Sequence, residues 1–158
     1  MGWNYMEVSF DNIADHIIPI SEHSLNSRFT NIPEEHLSQI KSLDKSASKF
    51  LSDYIIGREL HRDIPFKDGF FKITDSINVQ NVKKEEVGKW LFDLDFPIND
   101  EIFLSWSPTE AMIVPWKLLI QYFDDFYHLV SDDLTVFDQT LNWSLLFFHE
   151  GEIYYGTK

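Results

Sequence analysis

The hydrophobic positions change their spacing along the chain, and each spacing predicts a different element. Between residues 33 and 57 apolar side chains recur in steps of three and four, the period of a helix with one buried face. These positions are Leu37, Ile40, Leu43, Ala47, Phe50, Leu51, Tyr54 and Ile55. A break near Ser42, followed by the N-cap residue type Asp44, leaves open whether the segment is one helix or two. Gly57 suits the end of a helix.

The pattern is weaker on either side of this helical segment. Residues 1–32 predict an irregular, partly docked stretch, because short apolar pieces are interrupted by Pro19 and Pro33. Residues 63–82 predict a hairpin or paired strands, with a turn at Asp68-Gly69. Residues 83–92 predict a short helix, so residues 33–92 as a whole are expected to be mainly helical.

Residues 100–156 predict an antiparallel sheet with one helix. Strands are expected at residues 101–106, 109–114, 134–137, 142–149 and 152–155. The helix is expected to begin with Pro115 as its first residue and to bury Trp116, Leu119, Ile120 and Phe123. Residues 143–149 are apolar on both faces, which is typical of a central strand covered on both sides. The fold predicted for residues 1–158 is therefore a single α+β domain, an antiparallel sheet with helices packed on it.

Composition agrees with one folded domain. The 158 residues are 44% hydrophobic and 16% aromatic, enough for a real core, and they include no cysteine, which fits a reducing compartment. The segment Met1-Gly2-Trp3-Asn4-Tyr5 has no basic region followed by an apolar run, so no secretory signal is expected. No stretch approaches the roughly 20 apolar residues of a membrane span. These features favour a cytoplasmic protein that does not bind membranes.

Charge is distributed unevenly along the chain, whose net charge is −13. Residues 90–158 contain twelve Asp and Glu but two Lys, whereas residues 1–89 contain fourteen acids and eleven bases. An acidic surface repels nucleic acid and attracts basic proteins. No phosphate-binding, dinucleotide-binding or serine-hydrolase motif is present. The triplet His61-Arg62-Asp63 matches a kinase catalytic loop in three letters without its context, so we interpret it as chance.

Two groups of polar residues could carry function. Asp124 and Asp125 lie at the C-terminal end of the predicted helix, where the helix dipole disfavours anions, and Asp132-Asp133 follow in the next loop. They are either a binding cluster or ordinary solvated turn residues. His149-Glu150, with His128, could bind a metal or act as an acid–base pair. This spacing fits no compact motif, and the alternative is a hydrogen-bonded core histidine at a strand end.

Aromatic residues accompany these acids. The tryptophans Trp106, Trp116 and Trp143 have the spacing of core residues. Tyr127, Tyr154 and Tyr155 are the aromatic residues that we expect to be exposed and able to anchor a partner.

A scattered pattern in residues 100–156 resembles small acidic bacterial proteins, some of which are immunity proteins of contact-dependent growth inhibition systems. The residues that carry the resemblance are Leu104-Ser105-Trp106-Ser107, Ala111, Pro115-Trp116, Phe123-Asp124-Asp125-Phe126, Ser131-Asp132-Asp133, Val136, Trp143 to Glu150 and Tyr155-Gly156. The resemblance implies a non-enzymatic, cytosolic inhibitor of a cognate toxin, often a basic nuclease. It implies no catalytic residue, cofactor or metal.

The leading hypothesis is thus an immunity protein that binds a basic toxin domain through an acidic surface and makes no direct contact with nucleic acid. The residues expected at this surface are Asp124, Asp125, Tyr127, Asp132, Asp133, Glu150 and Glu152. One alternative is a small metal-dependent hydrolase that uses His128, His149 and nearby carboxylates. Another is an acidic adaptor or nucleic-acid mimic, which would need negative charges spaced along an elongated face.

Overall fold

The computed structural model describes residues 7–158, and the expectations for residues 1–6 lie outside the described part. One antiparallel sheet of eight strands forms the centre of the molecule, and its strand order is β1-β2-β5-β4-β6-β7-β8-β3. The predicted α+β class is confirmed. The strands are β1 (Ile17–Ile18), β2 (Lys41–Leu43), β3 (Ile73–Asn78), β4 (Glu101–Ser107), β5 (Glu110–Pro115), β6 (Leu134–Phe137), β7 (Trp143–Phe147) and β8 (Glu152–Thr157).

Helices cover both faces of this sheet. They are α1 (Glu34–Leu37), α2 (Lys45–Gly57), α3 (Lys84–Phe92) and α4 (Trp116–Phe126). One hydrophobic cluster packs α2 on one face, and the other packs α3 and α4 on the opposite face. The N-terminal segment contains short 3₁₀ helices at Ile13–His16, Ile20–Glu22 and Asn26–Phe29, so it is less irregular than expected. Leu25 and Phe29 dock this segment on the α3–α4 side.

The central strand β7 shows why both faces are covered. Its side chains alternate, with Trp143, Leu145 and Phe147 in the α3–α4 cluster and Leu146 in the α2 cluster. It lies between β6 and β8, with every residue buried. Because a strand that is apolar on both faces is stable only when both are covered, the alternation in the sequence predicted this position correctly.

The predicted break after α1 proves to be a strand. Residues 41–43 form β2, and Asp44 then caps α2, since its Oδ1 accepts a hydrogen bond from the Ala47 N–H at 2.9 Å. The helix ends at Gly57, as expected.

The boundary before α4 differs from the expectation by one residue. Pro115 is the last residue of β5 and the N-cap of α4, so Trp116 is the first helical residue. The Trp116 N–H donates to the Asp100 carbonyl oxygen at 2.8 Å, and the Lys117 N–H donates to that of Ile98 at 2.9 Å. The loop before β4 therefore satisfies the free amides at the start of α4.

The hairpin predicted for residues 63–82 is wrong. Asp68-Gly69 does form a turn, closed by the Phe70 N–H on the Lys67 carbonyl oxygen at 2.9 Å. Phe66 and Phe71, however, belong to a loop that packs onto the α2 side of the sheet, and β3 pairs with β8 instead. The close contact of Phe71 with β8 needs Gly156, where an added Cβ would lie 2.2 Å from the Phe71 ring.

Across residues 7–158, none of the helices combines the length and apolarity needed to cross a bilayer.

Candidate binding surface

The predicted acids come together where α4 ends, β6 begins and β7 turns into β8. The loop after α4 is tied to this turn, because the Val130 N–H donates to the His149 carbonyl oxygen at 3.1 Å. The Val79 N–H donates to the Gly151 carbonyl oxygen at 2.9 Å, which places the end of β3 beside the same turn. A cleft of about 250 Å³ lined by Val79, Asp124 and Leu129 connects this region to the end of α4.

Tyr127 lies at the centre of this region and is buried, at 5% exposure. Its hydroxyl donates to the Phe148 carbonyl oxygen at 2.5 Å. Burial raises its pKa to about 12, and the charges of Asp132, Asp133 and Glu152 add to this shift, although an interaction with the Gly151 backbone opposes it. The expectation that Tyr127 is an exposed anchor is therefore wrong. Its phenol instead fixes the loop after α4 to the residue that follows β7.

Asp132 is also structural. It is 7% exposed, and its carboxylate accepts two hydrogen bonds from the Arg28 guanidinium at 2.6 and 3.0 Å. Burial alone would raise its pKa, but the Arg28 hydrogen bonds and charge, with the His128 N–H, outweigh burial and lower it. The expectation that Asp132 presents its charge to a partner is wrong, because Arg28 already occupies both oxygens.

Ion pairs within the molecule cancel part of the charge asymmetry seen along the sequence. Four acids of residues 90–158 pair with bases of residues 1–89. The pairs are Asp132–Arg28, Glu101–Lys41, Asp124–Lys84 and Asp93–Lys89. The acid-rich half of the chain is thus less negative in space than in sequence, and the remaining unpaired acids decide where a negative surface lies.

Several of those remaining acids lie in the region around Tyr127. Asp125, Asp133, Glu150 and Glu152 pair with no Lys or Arg among the described residues. The half-buried Asp125 has a raised pKa, through burial first and then the neighbouring charge of Asp124, against the opposing charges of Lys84 and His128. We call these four residues, with the exposed and Lys84-paired Asp124, the acidic edge.

Two exposed aliphatic side chains share the loop that runs along the acidic edge. Leu129 is 37% exposed and Val130 is 78% exposed. Val130 also has φ of 79°, in the left-handed region that a β-branched residue rarely adopts. Strained backbone of this kind is concentrated at functional sites. Neither residue was singled out from the sequence, because a short aliphatic pair in a loop carries no motif.

His149 orients one member of the acidic edge. Its backbone N–H and its ring Nδ1 both bond Asp133 Oδ1, at 2.9 and 2.8 Å. Asp133 Oδ2 has no hydrogen-bond partner in residues 7–158. Within the same residues, no three His, Asp or Glu side chains are grouped so that they could hold a metal ion. The geometry gives no support to a metal site built on His128 and His149.

His61, which the sequence offered only in a chance match to a kinase loop, lies on the α2 side of the sheet with both ring nitrogens hydrogen-bonded. His61 Nδ1 donates to the Pro65 carbonyl oxygen at 2.7 Å, and the neutral ring accepts the Thr135 hydroxyl at Nε2 at 2.8 Å. Burial lowers its pKa, against the opposing effects of the Pro65 hydrogen bond and the charge of Asp133. His61 lines a cleft of about 310 Å³ built from five separate segments. No local motif could have revealed such a site.

The two remaining expected aromatic anchors, Tyr154 and Tyr155, are half-buried on β8. Burial raises the pKa of Tyr154, and the charges of Glu152 and Glu150 add to this shift.

Comparison of the chain with protein-family models, with curated proteins and with solved structures finds no match.

Proposed function

We propose that this protein is a non-enzymatic immunity protein that binds and neutralises a cognate bacterial toxin in the cytoplasm. The acidic edge would meet Lys and Arg side chains of the toxin, and a basic nuclease domain is the partner class that fits best. The observation that carries the proposal is the gathering of Asp125, Asp133, Glu150 and Glu152 in one region without a salt bridge to Lys or Arg among the described residues.

Exposed Leu129 and Val130 add the second component that a protein interface needs. Carboxylates steer a cationic partner and raise the association rate, whereas desolvated apolar contacts supply much of the binding energy. A loop that offers aliphatic side chains beside carboxylates provides both. A standard interface of roughly 800 Å² per partner would extend over the loop and the β7–β8 turn.

The arrangement of the acids favours a protein partner over mimicry of nucleic acid. A mimic needs a track of charges comparable to the one charge per about 1.7 Å of duplex DNA. Here the carboxylates of the acidic edge are confined to the end of α4, the start of β6 and one turn. Such a compact group suits a cluster of basic side chains.

The proposal is tested with the toxin domain encoded by the neighbouring gene. We expect purified toxin domain to bind the protein and to lose its activity, with an association rate that falls about tenfold or more from low to high salt. Glu150→Lys is expected to slow association about three- to tenfold at low salt, because it reverses an unpaired charge of the acidic edge. Stopped-flow fluorescence of the tryptophans measures the rate.

Asp100→Lys is the matched control. It makes the same change in net charge, but Asp100 lies at the N-terminal end of α4, opposite Asp124 and Asp125. We expect this variant to associate at nearly the wild-type rate. Equal slowing by Glu150→Lys and Asp100→Lys would mean that only net charge matters and that the acidic edge is not the contact surface.

A further inference from the structure

The cleft beside His61 is separate from the loop of Leu129 and Val130 and has features of a small-molecule site. We call it the His61 cleft and define it by Ser52, Ile55, His61, Ile64, Ser105 and Asp133. Its volume of about 310 Å³ lies at the lower end of the range for ligand pockets. The helix α2, the loop after it, the β4–β5 turn, and β6 and β7 each contribute side chains, so the walls belong to the core scaffold.

Two hydroxyl groups in this cleft lack partners. Ser52 is 8% exposed and Ser105 is 6% exposed, yet neither hydroxyl has a hydrogen-bond partner in residues 7–158. Both residues line the cleft. Among the fully buried serines, Ser48 donates to the Asp44 carbonyl oxygen at 2.8 Å and Ser144 to that of Val136 at 3.0 Å, whereas Ser42 Oγ has no partner in residues 7–158. Both hydroxyl oxygens are open to the cleft rather than enclosed, because the side-chain polar atoms of residues 7–158 that are fully enclosed and without a partner are His23 Nε2 and Ser42 Oγ. A molecule bound in the cleft can therefore replace the water that bonds them.

The other residues that line the cleft indicate which apolar and charged groups a ligand would carry. Ile55, Leu146 and Phe148 form an apolar surface, and the exposed Ile64, at 57%, lies on it as well. Asp133 contributes the free Oδ2 carboxylate oxygen. The neutral His61 ring offers a ligand no charge. It also offers no free nitrogen, because both ring nitrogens are hydrogen-bonded to Pro65 and Thr135. The cleft therefore offers apolar walls, two hydroxyls and one anionic oxygen.

We propose that the His61 cleft binds a small organic amine with an aromatic or cyclic aliphatic body. The body packs against Ile55, Ile64 and Phe148, and the ammonium group pairs with Asp133 Oδ2. A polar atom of the ligand accepts or donates hydrogen bonds at Ser52 and Ser105. This site shares Asp133 with the acidic edge, but it does not depend on the proposed toxin binding, because a small amine needs no macromolecular partner.

Three probes of similar size separate the contribution of the charged group to binding from that of the phenyl ring. Phenethylamine, 2-phenylethanol and phenylacetate share the phenyl ring and differ in charge. We expect phenethylamine to shift the amide NMR signals of residues around Ser52, Ser105 and Thr135 in the wild-type protein. We also expect it to bind about threefold tighter than 2-phenylethanol, because a half-exposed ion pair contributes about that much to affinity. Phenylacetate is expected to bind most weakly.

Two variants test the assignment of residues. Asp133→Asn keeps an acceptor for His149 and is expected to reduce the preference for phenethylamine over 2-phenylethanol to about one. Ser105→Leu fills the cleft and is expected to abolish binding of both probes. The proposal is overturned by signal shifts elsewhere on the protein, by no saturable binding, or by an unchanged amine preference in Asp133→Asn. Mapping in the wild-type protein tests the location even if Ser105→Leu fails to fold.

Discussion

Arg28 and Asp132, 104 positions apart in the chain, form the most buried of the ion pairs between Lys or Arg and a carboxylate in residues 7–158. The guanidinium holds both carboxylate oxygens and also reaches the carbonyl oxygen of Phe126 at 3.5 Å. This contact ties the N-terminal segment to the loop that carries Leu129 and Val130. A single residue pair therefore positions the loop from which the candidate binding surface is built.

Removal of one partner of this pair should strongly destabilise the fold. Arg28→Met leaves Asp132 buried without its counter-charge, and we expect a loss of about 3–5 kcal/mol in the free energy of unfolding. Lys49→Met is the control, since it breaks an exposed pair with Asp53 one helical turn away and should cost less than about 0.5 kcal/mol. Urea denaturation followed by tryptophan fluorescence measures both. Similar small losses in the two variants would contradict the structural role given to Arg28.

At the scale of elements, prediction from sequence succeeded where the periodicity reports burial directly. The two apolar faces of β7 and the cap at Asp44 are both set by residues adjacent in sequence, and both are confirmed. The hairpin at residues 63–82 failed because Phe66 and Phe71 bury their rings from a loop. Alternating apolar residues cannot distinguish these two ways of covering a core.

The difference between local signals and contacts made by distant residues also explains how well the candidate site was predicted. Local signals placed Asp124, Asp125, Glu150 and Glu152 at helix and strand ends, and the structure brings them into one region. Burial of Asp132 depends on Arg28, which no local pattern around residue 132 reveals. The His61 cleft is assembled from segments that are distant in sequence, so its composition follows only from the fold.

The close packing of the Phe71 loop on strand β8 predicts that a larger residue at position 156 destabilises the protein. Gly156→Ala places a methyl group against the Phe71 ring, and we expect a loss of about 1–3 kcal/mol in stability, as for other overpacked cores. Gly88→Ala in α3 meets no atom within 4 Å and should gain about 0.5–1 kcal/mol, because alanine favours the helix. Thermal unfolding of the two variants compares them directly. A stabilised Gly156→Ala would mean that the loop does not pack on β8 as described.

For the whole molecule, two histidines should control how stability depends on pH. Burial lowers the pKa of both His23 and His61 below the ordinary value of 6.5. The unfolded chain therefore binds protons near pH 6.5 that the folded protein does not bind. Stability should be greatest above this pH and should fall as the pH drops below it.

This pH dependence is measured by urea denaturation between about pH 7.5 and pH 5.5. High salt is used throughout, so that repulsion among the acids that give the net charge of −13 is screened. We expect His61→Gln to show a shallower fall in stability than the wild-type protein, since one of the two linked protonations is removed. An unchanged slope in His61→Gln, or stability that rises on acidification of the wild-type protein, would contradict the neutral, buried state of this ring.

The place of β3 at the outer edge of the sheet also bears on how the chain folds. Its sheet neighbour is β8, and the register joins Ile73 to Thr157 and Asn78 to Glu152. During synthesis on the ribosome, residues 73–78 must remain without this neighbour until residues 152–157 have been added. Pairing between such distant segments raises the contact order, which slows folding to the millisecond-to-second range typical of β-rich topologies.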